Sequence, residues 1–375
     1  MKCFEPMYDS CEKPVLVPEL SIVIPTFNEA ANVALVVERV ANVLAGIPWE
    51  IIFVDDDSPD GTSSTAKVLA QSNPRVRCIR RVGRRGLAGA CIEGMLASST
   101  PYVAVLDADL QHDEALLVDM LTLLRSGQYN LVIGSRYIGG AANEGLSPTR
   151  LAGSKIATLL TRRLIGLNVT DPMSGFFMLK RELLEGSAHR LSTQGFKILA
   201  DILASTRSEA RVCELPYTFR ARMHGTSKLD SQVTLDFIGL LISKASGNVV
   251  PVRFVTFALV GVTGLVAHLA ILKTGLTMFD LSFPVAQTVA TFVAMTSNFF
   301  LNNMVTYRDR RLTGVAALKG LLLFILTCAV GAASNIGVAT WLYANKPIWW
   351  LAGVLGSLVG AVWNYAVSTA LVWRR

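Results

Sequence analysis

Three oxygen-bearing side chains stand two residues apart, directly after a short apolar run. Asp107, Asp109 and Gln111 follow residues 102–106, a run short enough to be a buried strand. In open α/β sheets, ligands bind at the carboxyl edge of the strands. Carboxylate and amide oxygens suit Mg²⁺ or Mn²⁺, which usually share their coordination shell with substrate phosphates. The pattern therefore predicts a metal–diphosphate site, whereas an Asp-x-Asp alone would favour a solvated acidic turn.

Two earlier apolar runs also end in polar residues. Residues 21–25 lead into Asn28 and Glu29, and residues 49–54 lead into three successive aspartates that begin at Asp55. If these runs are parallel strands, their polar ends meet at one edge of one sheet. Three strands that end in this way predict a single ligand site rather than three unrelated turns.

The pattern of the first half of the chain predicts the strands and helices that carry these residues. Apolar runs alternate with stretches of helical periodicity, which predicts an α/β fold with a mainly parallel, doubly wound sheet. The predicted strands cover residues 21–25, 49–54, 76–82 and 102–106, and the clearest helices cover residues 30–44 and 86–98.

The last third of the chain has a different composition. Hydrophobic residues make up 51% of the whole chain, charged residues 17%, and the mean hydropathy is +0.44. Four stretches contain no Asp, Glu, Lys or Arg, and each exceeds or approaches the ~20 residues that cross a bilayer. We therefore expect an integral membrane protein with an all-α, four-helix transmembrane domain, its spans within residues 254–272, 281–307, 320–345 and 347–373.

The net charge of +7 lies in the membrane region. Residues 251–375 hold nine Lys and Arg against two Asp and Glu, whereas residues 1–250 are balanced. A nucleic-acid-binding protein would need its basic patch on the soluble part, so a nucleic-acid partner is not expected.

Polarity and charge placement also predict the topology. Residues 1–20 are polar, contain three prolines and lack the apolar core of a signal peptide, so we expect a cytoplasmic soluble domain. An even number of spans then leaves both termini cytoplasmic. Basic residues on that side would outnumber those on the other, as the positive-inside rule requires. The basic residues on the predicted cytoplasmic side are Arg253, Arg308, Arg310, Arg311, Lys319, Arg374 and Arg375. The loops on the opposite side carry only Asp280 and Lys346, with Lys273 near one end.

Several motifs in combination resemble one family. The sequences Ile-Pro-Thr-Phe-Asn-Glu (24–29), Val-Asp-Asp-Asp-Ser-Pro-Asp-Gly-Thr (54–62) and Asp-Ala-Asp-Leu-Gln-His (107–112) resemble the polyprenyl-phosphate glycosyltransferases of glycosyltransferase family 2, of the dolichol-phosphate mannose synthase type. The resemblance covers about residues 20–229 and continues through residues 134–137, 149–150, 171–177 and 222–229. Phe27 stands where a Tyr is common, and Asp113-Glu114 replace a Pro-rich continuation; neither change removes a ligand.

The resemblance implies a fold and a reaction. Residues 1–229 would form a GT-A type (Rossmann-like) domain, and residues 251–375 a GtrA-like transmembrane domain. The reaction would move mannose, with inversion, from GDP-mannose to the phosphate of a membrane polyprenol such as dolichyl or undecaprenyl phosphate. Mg²⁺ or Mn²⁺ would neutralise the leaving diphosphate. UDP-glucose as donor, or a translocation or scaffold protein for lipid-linked sugars, remains the alternative; a processive polysaccharide synthase is rejected because no Trp here follows an Arg.

The same resemblance assigns residues to roles. The metal would bind Asp107, Asp109 and Gln111, and the catalytic group would be Asp109, Gln111, Arg136 and Arg222. The nucleotide sugar would contact Pro25, Phe27, Glu29, Val54, Asp56, Arg85, Asp107 and Ala108. The acceptor phosphate would contact Arg136, Arg150, Ser154, Arg222 and Lys228. His112 is interpreted as a local structural residue.

Two features concern the region after the soluble domain. Residues 228–244 have an amphipathic pattern, and we assign residues 230–250 as an interfacial helix and linker; a helix packed on the soluble domain fits equally well. Residues 298–308 match residues 364–374, since Asn-aromatic opens and aromatic-Arg closes both stretches at equal spacing. This match favours two similar helical hairpins, although chance similarity between apolar helices competes with it.

Overall fold

The computed structural model describes residues 17–138, 169–192, 198–206, 209–220, 249–345 and 349–373, with residues 239, 240, 242, 243 and 246 between. The described residues fall into two compact units, one that ends at Arg220 and one that begins at Gly239. The predicted domain boundary at residue 229, and most of the predicted interfacial helix at 230–250, lie outside the described residues and stay predictions.

The first unit is built on a seven-stranded sheet with the order β3-β2-β1-β4-β6-β5-β7. The pairs β1–β2, β1–β4, β2–β3 and β5–β7 are parallel, and only β6 runs antiparallel to its neighbours. The mainly parallel sheet is therefore confirmed. The strands are β1 Leu20–Thr26, β2 Trp49–Asp55, β3 Val76–Arg80, β4 Tyr102–Val105, β5 Leu131–Ser135, β6 Phe177–Lys180 and β7 Val212–Pro216.

Helices cover both faces of this sheet, which explains why its central strands are almost entirely apolar. Alternate residues of β1 and β2 face opposite sides; Ile22 and Phe53 lie in the core that α1 and α4 also form. On the other face α3 approaches closely through Gly94, where an added Cβ would meet Val23 and Val54. The helices are α1 Val33–Val43, α2 Thr62–Ser72, α3 Leu87–Ala97, α4 Leu116–Arg125, α5 Arg181–Ser187 and α6 Ile198–Ser205.

Among its described residues, the second unit contains four long helices, the number predicted. They are α7 Val252–Thr277, α8 Phe283–Leu301, α9 Gly314–Asn345 and α10 Trp349–Val367. Helix α9 begins before the expected span at residue 320, so it includes Lys319, whose long side chain can reach polar surroundings from an apolar helix. Among the residues that the structure describes, the stretches Val252–Thr277 and Gly314–Gly331 are long and apolar enough to cross a bilayer.

The repeated sequence forms a repeated structure. Helix α8 passes into a π-helical turn at Asn302–Thr306 that ends before Tyr307, and α10 passes into a π-helical turn at Ser368–Val372 that ends before Trp373. The two aromatic rings then stack on each other, with centroids 4.0 Å apart and planes 5° apart. Residues at equivalent positions of the two repeats therefore meet in space, which supports the interpretation as two similar hairpins.

Each hairpin is also closed by the same pair of residue types. Gly264 of α7 lies against the side-chain amide of Asn298 on α8, and Gly331 of α9 lies against that of Asn364 on α10. A Cβ on either glycine would overlap the neighbouring amide. Small residues at such contacts let helix backbones approach closely where lipid provides no hydrophobic driving force.

The close approach in the first hairpin makes a stability prediction. Gly264→Ala places a methyl group on Asn298, so we expect the membrane unit to lose about 1–3 kcal/mol and the melting temperature of the full chain in detergent to fall. Gly261→Ala, on the same helix, is the control, because nothing lies within 4 Å of its added Cβ. The double variant Gly264→Ala/Asn298→Ala should recover part of the loss. Equal melting temperatures for the two glycine variants would contradict the assigned contact.

Candidate active site

The three polar strand ends predicted from the sequence meet at one edge of the sheet. Parallel pairing places Pro25 of β1 directly beside Val54 of β2, and the amide of Leu106 donates to the carbonyl of Val23 at 3.1 Å. The predicted nucleotide residues on β1 and β2 and the acidic segment after β4 are therefore neighbours.

Each of these strand ends contains a non-glycine residue with positive φ. The values are 58° at Asn28, 58° at Asp57 and 62° at Leu110. Asn and Asp tolerate this conformation, but for Leu it costs more. Leu110 is nevertheless held there with its side chain buried, and it separates Asp109 from Gln111. Such backbone conformations cluster at functional sites because the surrounding structure must enforce them.

Asp109 and Gln111 are both buried and have defined orientations. The backbone amide of Gln111 donates to Oδ1 of Asp109 at 3.2 Å, and its side-chain Nε2 donates to the carbonyl of Arg220 at 2.9 Å. This bond fixes the orientation of the side-chain amide, so that its acceptor oxygen Oε1 points away from the Arg220 carbonyl. The chemistry of these donors fits the predicted divalent cation, which prefers carboxylate and amide oxygens.

The predicted metal site depends on more than its carboxylates. Within the described ranges, no three His, Cys, Asp or Glu side chains converge as a metal-binding group. Two carboxylates, Asp107 and Asp109, and the Gln111 amide would thus hold the ion together with diphosphate oxygens. This is the usual manner of binding for Mg²⁺, which takes few protein ligands and completes its shell with substrate phosphates and water.

Asp107 lies between two groups that limit its movement. Its Oδ2 is 3.2 Å from Nε2 of His112, and a Cβ added to Gly175 would lie 2.6 Å from the same oxygen. The other ring nitrogen of His112 is 3.0 Å from the hydroxyl of Tyr217. Burial raises the pKa of the Tyr217 hydroxyl, which therefore keeps its proton at neutral pH.

Arg220 clamps the acidic segment and was not identified from the sequence. Its guanidinium donates to Glu114 at 2.9 Å, to Asp113 at 2.8 Å and to the carbonyl of His112 at 3.3 Å, and its amide donates to the carbonyl of Gln111 at 2.9 Å. Arg220 lies after β7, far from residues 111–114 in sequence. The available signal was its position two residues before Arg222, at the start of a recognised motif.

Arg136 binds the buried carboxylate of Asp171. Its Nε and Nη2 donate to the two oxygens at 2.7 and 2.8 Å, a planar two-point contact. Asp171 is itself held through its backbone amide, which donates to Glu214 at 3.0 Å. If Arg136 binds the acceptor phosphate as predicted, it would donate from Nη1, the nitrogen that does not bind Asp171.

On the nucleotide side, Phe27 and Arg85 lie together. The guanidinium carbon of Arg85 is 4.7 Å from the centre of the Phe27 ring, within the range of a cation–π contact. Glu29 accepts a hydrogen bond from the side-chain amide of Asn32 at 2.8 Å. Pro25, Val54 and Ala108 are buried, and Pro25 is paired with Val54 across the sheet; their contacts with a nucleotide stay predictions.

Asp56, predicted to contact the nucleotide, already binds two groups of the protein. One oxygen binds Arg81, and the other accepts the backbone amide of Gly86 at 2.6 Å. Burial raises the pKa of Asp56, against the lowering effects of the Gly86 amide and of Arg81. Each carboxylate oxygen keeps a second lone pair for a base edge. Asp56 thus positions the turn before α3 as well as being a candidate for base recognition.

Four predicted acceptor residues cannot be located relative to this site. Arg150, Ser154, Arg222 and Lys228 lie outside the described residues, and their roles stay predictions.

Comparison with known proteins identifies two families along the chain. Residues 21–187 match glycosyl transferase family 2, and residues 256–373 match the family described as GtrA/DPMS, transmembrane domain. The chain is 33% identical over 355 residues to the dolichol-phosphate mannosyltransferase of Pyrococcus furiosus, an alignment that covers 93% of this chain and 96% of that protein. Proteins of the same name from Mycosarcoma maydis and Saccharomyces cerevisiae are each 32% identical over 64% of this chain, and over 85% and 92% of their own lengths.

Solved structures give a weaker match. Glucosyl-3-phosphoglycerate synthase from Mycobacterium tuberculosis, in complex with UDP, is 23% identical with a TM-score of 0.48, and the match covers 61% of this chain and 80% of that chain. The same enzyme in complex with Mn²⁺, UDP-glucose and phosphoglyceric acid is 21% identical with a TM-score of 0.47, at the same coverage.

We expect the contacts of Arg220 to keep the acidic segment, residues 107–114, ordered. Arg220→Ala leaves buried Glu114 with the longer contact to Arg39, at 3.4 Å, so we expect the melting temperature to fall and amide hydrogen exchange within residues 107–114 to accelerate. Arg125→Ala is the control, because it removes an exposed pair with Glu19, and such pairs contribute at most about 1 kcal/mol. Unchanged exchange in the Arg220 variant would show that the clamp does not order the segment.

Proposed function

The chain belongs to the dolichol-phosphate mannosyltransferases of glycosyltransferase family 2, and from this premise we propose that it moves mannose from GDP-mannose to the phosphate of a membrane polyprenol. The observation that carries the proposal is the edge of the sheet where Asp107, Asp109 and Gln111 follow β4 beside the ends of β1 and β2. Similarity to the Pyrococcus furiosus enzyme over 93% of the chain, through both the soluble and the transmembrane families, supports it.

The reaction is a single displacement. An ionised oxygen of the polyprenyl phosphate attacks C1 of mannose while the bond between C1 and the β-phosphate oxygen breaks, and the bonding electrons leave with GDP. Attack from the face opposite the leaving group inverts the configuration at C1. A phosphate monoester, whose second pKa is about 6, is already an anion at neutral pH, so the nucleophile needs no general base. This explains a site built from metal-binding oxygens and cations.

The main demand is to stabilise the charge that develops on the leaving diphosphate. Asp109 and Gln111, with Asp107, would hold Mg²⁺ or Mn²⁺, which supplies that stabilisation as a Lewis acid when bound. Their orientation by Arg220 and the backbone precedes any reaction, so little reorganisation is required at the transition state.

The donor nucleotide would occupy the ends of β1 and β2. Asp56 would accept hydrogen bonds from the guanine edge, and Glu29 from a ribose hydroxyl, while Phe27 and Arg85 would lie near the base and the diphosphate. A guanine presents donors that a carboxylate can accept in pairs, which favours GDP-mannose over UDP-glucose as the donor.

The acceptor phosphate would be held by cations. Arg136 would use Nη1, since Asp171 fixes its other edge. Arg150, Arg222 and Lys228, with the hydroxyl of Ser154, would complete the site. Arg220 contacts the acidic segment and lies two residues before Arg222 in the sequence, so both substrate sites would depend on the same short stretch after β7.

The arrangement of the second unit supports the orientation of the spans. The guanidinium of Arg253 lies 6.0 Å from the ring of Tyr307, and Arg310 donates to the carbonyl of Trp373 at 3.2 Å. The start of α7, the end of α8 and the residues that follow α10 therefore lie at one end of the bundle, with the basic residues. By the positive-inside rule this end would face the cytoplasm, together with the catalytic domain and both termini.

One experiment tests the reaction and its metal dependence together. The purified full chain is offered GDP-mannose, UDP-glucose and other nucleotide sugars with a polyprenyl phosphate, and the glycolipid is identified by mass spectrometry. We expect mannosyl transfer from GDP-mannose. Asp109→Ala should lower kcat more than about a hundredfold, as loss of transition-state charge stabilisation does, whereas Asp119→Ala, at an exposed position on α4, should have little effect. Full activity in excess EDTA would contradict the metal assignment, and transfer of another sugar would contradict the donor.

The topology has its own test. A reporter that works only in the cytoplasm should be active when it is fused after Arg375. A cysteine introduced near Asn345 should react with an impermeant reagent added from outside. A matched cysteine near Arg311, in the connection between α8 and α9, should be protected from the same reagent. Labelling at Arg311 instead of Asn345 would mean that the bundle has the opposite orientation.

A further inference from the structure

His112 is buried next to the metal-binding segment but does not belong to the predicted ligand set. Its side chain is 3% exposed, and both ring nitrogens have polar partners: Nε2 faces Oδ2 of Asp107 at 3.2 Å, and Nδ1 faces the hydroxyl of Tyr217 at 3.0 Å. Buried ring nitrogens need hydrogen-bond partners in any case, and here one of the two partners is a predicted metal ligand. The two contacts form a chain from Tyr217 through His112 to Asp107.

The chemistry of the partners determines which nitrogen carries the proton. An ionised carboxylate can only accept a hydrogen bond, so Nε2 must donate to Asp107. In the neutral ring Nδ1 then accepts, and the hydroxyl of Tyr217 is its donor. Tyr217 is thus not a second ligand of the carboxylate. It holds His112 in the one tautomer that can bind Asp107.

The imidazole ring is also fixed by packing. Its centroid lies 5.2 Å from that of Phe176, 5.7 Å from Tyr217 and 5.8 Å from Phe219. Three aromatic neighbours at these distances leave the ring no alternative rotamer without a cavity or a collision. The position of Nε2 is therefore determined by the core of the domain and not by the exposed edge of the site.

The side chain of Asp107 is 37% exposed, so its contacts with the protein decide how far its carboxylate is ordered. The backbone of Gly175 closes the site from another direction, since a Cβ there would lie 2.6 Å from Oδ2 and 3.2 Å from Cγ. Gly175 directly precedes Phe176, which packs against His112. The carboxylate is thus held by a hydrogen bond from the ring and by contact with a bare backbone.

We propose that His112 is a positioning residue for Asp107, and that Tyr217 and Gly175 complete the structure that holds this carboxylate ready for a divalent cation. The inference rests on the proposed function, because it assigns Asp107 to the metal site. Ordering a half-exposed carboxylate costs conformational entropy at the moment of binding. When the protein orders it in advance, that cost is removed from metal binding. Groups that orient metal ligands in this way typically change affinity about 10–100-fold.

The test measures Mn²⁺ affinity of the full-length protein in detergent, by electron paramagnetic resonance, with saturating GDP. His112→Phe keeps an aromatic ring among its three neighbours but removes the donor, and should weaken Mn²⁺ binding about tenfold or more. His112→Gln places an amide nitrogen near the position of Nε2 and should recover most of the affinity. Tyr217→Phe keeps the ring and loses only the hydroxyl that fixes the tautomer, and should show an intermediate loss.

Phe219→Leu is the matched control, because Phe219 packs on the same imidazole but has no contact with Asp107 through a hydrogen bond. We expect it to lower the melting temperature and to weaken Mn²⁺ binding far less than His112→Phe does, because it loosens one of three ring contacts and keeps the hydrogen bond to Asp107. Gly175→Ala should weaken Mn²⁺ binding while His112 is intact, since the methyl group displaces the carboxylate directly.

The outcomes separate the inference from the proposed function. Equal Mn²⁺ affinity of the wild type and His112→Phe would overturn the positioning role alone, and so would a loss in Phe219→Leu as large as that in His112→Phe. If the wild type binds no Mn²⁺ with GDP present, the metal assignment and the inference both fail. If Mn²⁺ affinity changes as expected but no mannose is transferred, the positioning role stands and the proposed function fails. Tyr217→Phe keeps the test valid should His112→Phe not fold.

Discussion

The in-register parallel pairing of β1 with both β2 and β4 brings the polar strand ends of the catalytic unit together. Leu20 is paired with Trp49 on one side and with Tyr102 on the other, so the three strands begin level. Their polar continuations therefore emerge at one edge, where Pro25 lies beside Val54 and the acidic segment follows β4. A slip of one residue would turn every side chain of a strand to the opposite face. Because both faces of these strands are buried, the register is strongly determined.

The polar edge so formed is held by residues that come from other parts of the fold. Arg220 binds the segment of residues 111–114 from the end of β7, and Asp56 binds Arg81 and the Gly86 amide at the start of α3. Buried carboxylates are costly unless they are paired and hydrogen-bonded. These contacts reduce that cost and also fix the orientation of the side chains. Positive φ values at the three strand ends agree with a segment whose conformation is imposed by its surroundings.

The transmembrane unit obeys a different constraint. Lipid surrounds apolar side chains as readily as other helices do, so helices associate through close contact and local polar bonds. The two hairpins meet this requirement in the same way, with a glycine of one helix against an asparagine of the next. Their stacked aromatic residues, Tyr307 and Trp373, then join the two halves. Asn303 adds to this junction, because it accepts a hydrogen bond from the indole nitrogen of Trp373 at 3.0 Å.

Local patterns in the sequence predict the α/β class of the first unit, its first four strands, and the position of Asp107, Asp109 and Gln111 at a strand end. These features depend on local periodicity and on the apolar runs of buried parallel strands, which are visible in a single sequence. The sequence also predicts four helices in the last third, because long stretches without charge have few other structures available. The repeat at residues 298–308 and 364–374 was visible as spacing alone, and the structure supports it.

The contacts that hold those residues depend on the three-dimensional packing of the sheet. The antiparallel insertion of β6 between β4 and β5 has no local signature, because strand order depends on long-range pairing. Arg220 and its loop are 106 residues or more apart in sequence, and Tyr217 and His112 are 105 apart. The sequence therefore indicated a local structural role for His112 and a phosphate contact for Arg136, but not their partners Tyr217 and Asp171. Side-chain partners so distant in sequence are determined by the packing of the whole sheet, and periodicity along the chain does not predict them.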